Sequence, residues 1–143
     1  MLREVTQNTF DEGVLEGSIR KPVLVEFYTP WCGPCKMMKP VLEVINREKD
    51  EDLNVFLVDI SAQEYLGTQY EVKGTPTLIL FKDGDIAFRH TGALTKAALL
   101  EQILHRAQHA ADVGLALLAL LHHLLHQVLV GVGVQVLEGE IFQ

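Results

Sequence analysis

The sequence predicts an α/β protein, a central mixed β-sheet with helices on both faces, and three observations carry that prediction. Short runs of β-branched, leucine and aromatic residues alternate with longer stretches whose apolar residues recur at helical spacing. One run, Pro22–Tyr28, is apolar almost throughout, as a strand buried on both faces is. Asp83-Gly84 then stands between two further apolar runs, the signature of a tight hairpin. Alternation that ends in a hairpin gives a sheet with both parallel and antiparallel neighbours. At 143 residues and 48% hydrophobic, the chain can bury one sizeable core and still leave a remainder to explain.

The elements follow in order. Thr6-Gln7-Asn8-Thr9 ahead of Phe10, Asp11 and Glu12 reads as a helix start, with capping side chains before acids that suit the positive end of a helix dipole. Pro22–Tyr28 is the central strand, expected to run parallel to its neighbours. Glu26 within it is a carboxylate in an apolar run, costly unless it has a partner or a task. Lys36–Lys49 is helical in pattern through Met37, Met38, Val41, Leu42 and Ile45, and Pro40 is expected to kink it. Asn54–Asp59 is a second buried strand. Ser61 and Glu64 form a capping-box pattern for a short helix. Thr77–Lys82 and Ile86–His90 are the hairpin strands, and Thr95 opens a last helix whose apolar stripe continues through Ile103 and Leu104. No internal repeat is visible.

A formal charge of −7 argues against nucleic acid as a partner, because binding phosphates needs a basic face. Met1–Thr6 lacks the apolar core of a signal peptide, so the expected compartment is the reducing cytosol. The chain has two cysteines, Cys32 and Cys35, and a bond between them closes too short a loop to restrain the unfolded chain much. Half a zinc site and a pair of inert core cysteines are the alternatives. No second cysteine pair accompanies the first, the histidine spacing does not suit a finger, and the intervening Gly33-Pro34 speaks against plain packing. Reactivity explains the pair better. Cys32 follows a buried strand and opens a helix, at the carboxyl edge where α/β sheets place their sites. Unpaired backbone N–H groups and the helix dipole stabilise a thiolate there. Cys35, about one turn further along the same face, is placed to resolve the mixed disulfide that Cys32 forms.

Trp31-Cys32-Gly33-Pro34-Cys35-Lys36, with Phe27 before it and Pro40 after it, resembles the active site of the thioredoxin family. Gly74-Thr75-Pro76-Thr77 resembles that family's cis-proline loop, and Gly84 and Gly92 stand where thioredoxins carry glycines; the likeness runs from about residue 2 to 107 in one register. It implies a thioredoxin fold over 1–107, a cis Pro76 beside the cysteines, and pairing of the Thr75 backbone with an extended client segment. Trp31, Gly33, Pro34, Thr75, Pro76, Gly92 and Ala93 would then form the substrate-binding surface around Cys32. It also implies a proton-transfer role for Glu26, which stands where thioredoxins usually have a buried aspartate that helps deprotonate the resolving cysteine. Leu57 replaces the lysine that commonly neighbours that acid, which should drive the Glu26 pKa up through unopposed desolvation. Thr75 replaces the more usual isoleucine or valine, leaving partner choice open.

Residues 108–143 lie outside the resemblance and form an unusual C-terminal extension. Residues 113–137 contain no Asp, Glu, Lys or Arg, a length that could span a bilayer, but His122, His123, His126, Gln127 and Gln135 interrupt it. An amphipathic helix fits better: Leu118, Leu121, Leu125, Val128 and Val132 make a coiled-coil-like seam, with Ala116, Ala119, His122, His126 and Gln127 towards the other side. So wide an apolar stripe should be buried, and self-association through 113–137 is expected. Val130–Val136 alternates like a strand, so the helix should stop near Val130. His105/His109 and His122/His126 are each four apart, which could bridge a metal, although solvated or packed histidines are the commoner case and no metal site is expected. An interface that packed them would loosen on mild acidification.

The resulting expectation is a cytosolic protein-disulfide reductase, working by dithiol–disulfide exchange without a bound cofactor. Its partners would be disulfide-containing clients and a thioredoxin-reductase-like electron donor. The rivals are a scaffold that assembles through its tail, and a disulfide oxidase or isomerase; in the family Pro34 marks the reducing type.

Overall fold

The apolar run Val23–Tyr28 forms β2, the middle strand of a five-stranded sheet. Arg3–Glu4 (β1), Asn54–Asp59 (β3), Thr77–Lys82 (β4) and Asp85–Thr91 (β5) complete the sheet in the order β1-β3-β2-β4-β5. The computed structural model describes residues 1–131. β2 runs parallel to β3 but antiparallel to β4, so the parallel setting expected for it holds on one side only. The reason is the hairpin: β4 and β5 are joined through Asp83 and Gly84, both at positive φ (52° and 81°), the backbone of a two-residue type I′ turn. β1 has only two residues, too short for any periodic signal in the sequence.

Helices cover both faces. A π-helical stretch, Asp11–Glu16, continues into α1 (Gly17–Arg20); α2 is Gly33–Glu48, α3 is Glu64–Gln69 and α4 is Lys96–Gly131. Two capping expectations are corrected. The first helix is capped by Phe10 with no side-chain bond, while the Thr9 hydroxyl accepts from the Thr6 N–H at 3.0 Å in the turn before it. The Ser61–Glu64 capping box does not form. Asp59, at the end of β3, accepts from both the Ser61 N–H (2.9 Å) and the Ser61 hydroxyl (2.6 Å), so α3 starts behind Gln63 without a side-chain cap. A carboxylate two residues upstream closes its own turn sooner than the box can close. The opening of α4 behaves as expected, with the Thr95 hydroxyl accepting from the Ala98 N–H at 3.2 Å.

Alternation along the strands divides the core in two. Val23, Val25 and Phe27 face Phe10, Val14 and Leu66, together with Phe56, Val58, Ile79 and Phe81. Leu24, with Val55, Leu57, Leu78 and Leu80, faces Met38, Leu42 and Ile45 of α2 and Leu99 and Ile103 of α4. Glu26 is two residues on from Leu24 and therefore falls on the α2 face. This division positions the site.

The chain divides into two compact units, Met1–Leu104 and His105–Gln143, a little before the boundary expected after residue 107. In the second unit α4 remains helical to Gly131, and Leu115, Leu118, Leu121, Leu125 and Val128 are exposed along it. Leu117, Leu120 and Leu124, off the expected seam, are exposed as well. The strand expected at Val130–Val136 lies, beyond Gly131, outside the described residues, as do Val132 and Gln135. Among the described residues no helix is long and apolar enough to cross a membrane, and no three metal-ligating side chains cluster.

Candidate active site

β2 ends at Tyr28, and Thr29-Pro30-Trp31 carry the chain to Cys32, the N-cap of α2, whose backbone is extended (φ −79°, ψ 115°). Pro34 sits in the first helical turn, where its missing N–H breaks no helical bond. The first turn of a helix has N–H groups without helical partners, and here one finds the sulfur: the Cys35 N–H donates to Cys32 Sγ at 3.2 Å. The two cysteines are joined in a disulfide, with Cα atoms 5.3 Å apart. Both are largely buried, whereas Trp31 is 73% exposed and Gly33 and Pro34 are open to solvent.

Glu26 lies behind the pair. It stands in register between Leu57 on β3 and Leu78 on β4, two apolar neighbours on a buried face. It is 2% exposed, and its Oε1 has no hydrogen-bond partner among the described residues. Burial raises its pKa to about 7, with the positive charge of Lys39 pulling the other way. That corrects one expectation: desolvation dominates, but it is opposed. A cavity of about 230 Å³ brings Glu26, Cys35, Lys36, Lys39, Tyr28 and Leu57 onto common walls. The Tyr28 hydroxyl donates to the Glu4 carboxylate, and burial together with that bond keeps the phenol protonated. Lys39 was not among the residues singled out from sequence, although its place four residues after Cys35 puts it on the same helical face.

The third part of the site comes from the sheet's other half. Phe27 at the end of β2 pairs with Thr77 at the start of β4, and Thr77 pairs with Thr91 at the end of β5. The segments preceding Thr77 and following Thr91 therefore sit at the strand end from which the cysteine loop leaves. The Thr75–Pro76 peptide bond is cis, Pro76 is buried and Thr75 half-buried. The Gly92 N–H donates to the Pro76 carbonyl at 2.8 Å, and the Leu94 N–H reaches Met38 Sδ at 3.3 Å, tying this loop to α2. Gly92 has φ 108°, where a Cβ would be strained, and Ala93 beside it is exposed.

A cysteine pair closing a short disulfide at a helix N-terminus, with a buried carboxyl behind it, defines a thiol–disulfide exchange site. The thioredoxin family model matches residues 1–105. The chain is 47% identical over 100 residues to thioredoxin of Mycobacterium tuberculosis (strain ATCC 25618 / H37Rv), covering 70% of this chain and 84% of the relative. It is 48% identical over 101 residues to thioredoxin of Mycolicibacterium smegmatis, covering 69% and 88%. A bifunctional thioredoxin reductase/thioredoxin of Mycobacterium leprae is 44% identical over 100 residues, covering 70% of this chain and 21% of that protein. The chain belongs to the thioredoxin family. It is a protein-disulfide oxidoreductase that reduces its substrates by thiol–disulfide exchange through Cys32 and Cys35.

Proposed function

We propose that Cys32 is the attacking thiolate, Cys35 the resolving thiol and Glu26 its proton acceptor. The observation that carries the assignment is the Cys35 N–H aimed at Cys32 Sγ, which favours negative charge on that sulfur. Cys35 instead lines the cavity that holds Glu26. In the reduced protein the Cys32 thiolate attacks one sulfur of a client disulfide. The client S–S bond breaks, a mixed disulfide forms, and the first client sulfur leaves as a thiolate that takes a proton from water. Cys35 then gives its proton to the Glu26 carboxylate and attacks Cys32 Sγ. The mixed disulfide breaks, the second client sulfur leaves as a thiolate that takes a proton from water, and two electrons have passed from the dithiol to the client. A carboxyl with a pKa of about 7 can both accept and return a proton near neutrality.

Exposed Trp31, Gly33, Pro34 and Ala93, with Thr75, Pro76 and Gly92, form the docking surface in this reading, a client strand lying along the Thr75 backbone. The relation to a bifunctional thioredoxin reductase/thioredoxin supports a thioredoxin-reductase-like electron donor. A dithiol that must be kept reduced supports a cytosolic setting, and exchange between two thiols and a disulfide calls for no bound cofactor. The exposed leucines of α4 beyond Gly114 favour a second role for that segment, pairing with the same helix of another copy. The decisive assay is insulin reduction with excess dithiothreitol, wild type against Cys32→Ser. Turnover should fall to the dithiothreitol background in the variant; undiminished turnover would remove Cys32 from the role.

A further inference from the structure

We infer that Lys39 is a positioning residue for the resolving step, its ammonium supplying from α2 the positive charge beside Glu26 that Leu57 does not provide from β3. The inference rests on the reading of Glu26 as the proton acceptor of Cys35. Its basis is geometric. The sheet surrounds Glu26 with Leu57 and Leu78, so neither neighbouring strand offers it a cation or a donor. The side left open is the cavity of about 230 Å³, and its walls carry Cys35 and Lys39 together. These two are four residues apart on α2, on one helical face, so thiol and ammonium approach Glu26 from the same element. Lys39 is itself exposed, and a four-carbon stem lets such a side chain keep its charge at a cavity mouth while its methylenes line the wall.

The charged and titratable groups near Glu26 are few. From α2 come Lys36 and Lys39, and from β2 comes Tyr28 with its hydroxyl bonded to Glu4 on β1. Asp59 on β3 lies close enough to Tyr28 to act on the phenol. β4 presents only Leu78 in register with Glu26. Lys39 is the cation that draws the Glu26 carboxyl towards its ionised form against burial. An exposed cation acts through water and ions, so its hold on Glu26 weakens as salt rises.

The test uses the full chain in four forms: wild type, Lys39→Gln, Lys39→Arg, and Lys39→Gln combined with Leu57→Lys, with Glu26→Gln as a kinetic control. The Glu26 carboxyl is titrated by NMR of 13C-labelled glutamate. Resolution is followed as the second thionitrobenzoate released when the reduced protein meets dithiobis-nitrobenzoate. In Lys39→Gln the NMR midpoint and the acid limb of the resolving rate should both move up by roughly half a pH unit. Lys39→Arg should leave both in place, and Leu57→Lys should bring both back down. An NMR midpoint unmoved by Lys39→Gln overturns the inference, whatever the kinetics do. A midpoint that moves while Glu26→Gln resolves at the wild-type rate over the whole pH range overturns the base reading of Glu26 instead, and the catalytic role of Lys39 with it.

Discussion

The two compact units use apolar residues in opposite ways. In Met1–Leu104 they are divided between two faces of a sheet: Val23, Val25 and Phe27 on one, Leu24 and its partners on the other, nearly all without exposure. Among the described residues after Gly114 leucine is denser, yet Leu115, Leu118, Leu121 and Leu125 are each more than half exposed. Composition alone ranks the second segment as the more hydrophobic. What makes a core is a second layer at the right spacing, and the first unit supplies it through strand alternation facing helical stripes. The first unit also tolerates one carboxylate inside that core, Glu26, and Cys35 lines the cavity beside it.

The proposed function puts chemistry in one unit and association in the other, and four experiments can break that division. The largest effect belongs to the cysteines: Cys32→Ser should abolish catalysed insulin reduction, while Cys35→Ser should accumulate a stable mixed disulfide with clients, seen as an adduct by intact mass spectrometry. Next comes Glu26. The folded state holds its proton up to about pH 7, whereas the unfolded chain releases it near 4.5. Between those values the folded state carries more protons, so raising the pH destabilises it, by about 3 kcal/mol in all. Urea unfolding at pH 5 and pH 8 should show that loss in wild type and a much flatter response in Glu26→Gln.

Removing residues 108–143 should leave insulin reduction within about twofold, because every site residue lies in the first unit and Ile103 of its core is retained. The same truncation should lower the mass measured by light scattering to that of one chain, and Leu121→Asp with Leu125→Asp should do likewise. A full-length protein that is monomeric at high concentration would end the association reading. The smallest effect is at the docking loop. Gly92→Ala places a Cβ at φ 108° and should cost about 1 kcal/mol of stability, read as a lower melting temperature.

The sequence carried more of the site than of its surroundings. The cysteine spacing, the strand before it and the helix after it were legible because each is a local pattern. The Asp83-Gly84 turn was legible for the same reason: two residues able to take positive φ close a hairpin wherever the flanking strands lie. The caps failed where two local options competed, as when Asp59 took the bonds expected of Ser61 and Glu64. Lys39 carries no signal of its own in the sequence, because a charge on a helix is ordinary until the surface that the helix covers is known.

By itself the sequence determined the alternating elements, the mixed sheet, the redox cysteine pair, and the odd acid in the central strand. Those follow from spacing along the chain, which needs no partner to be read. Tertiary structure decided that β2 is parallel on one side only, that Glu26 is shut between Leu57 and Leu78, and that Cys35 and Lys39 share its cavity. Burial and field are properties of neighbours brought together from distant parts of the chain. A carboxyl's proton affinity is therefore set by packing, not by the segment that contains it.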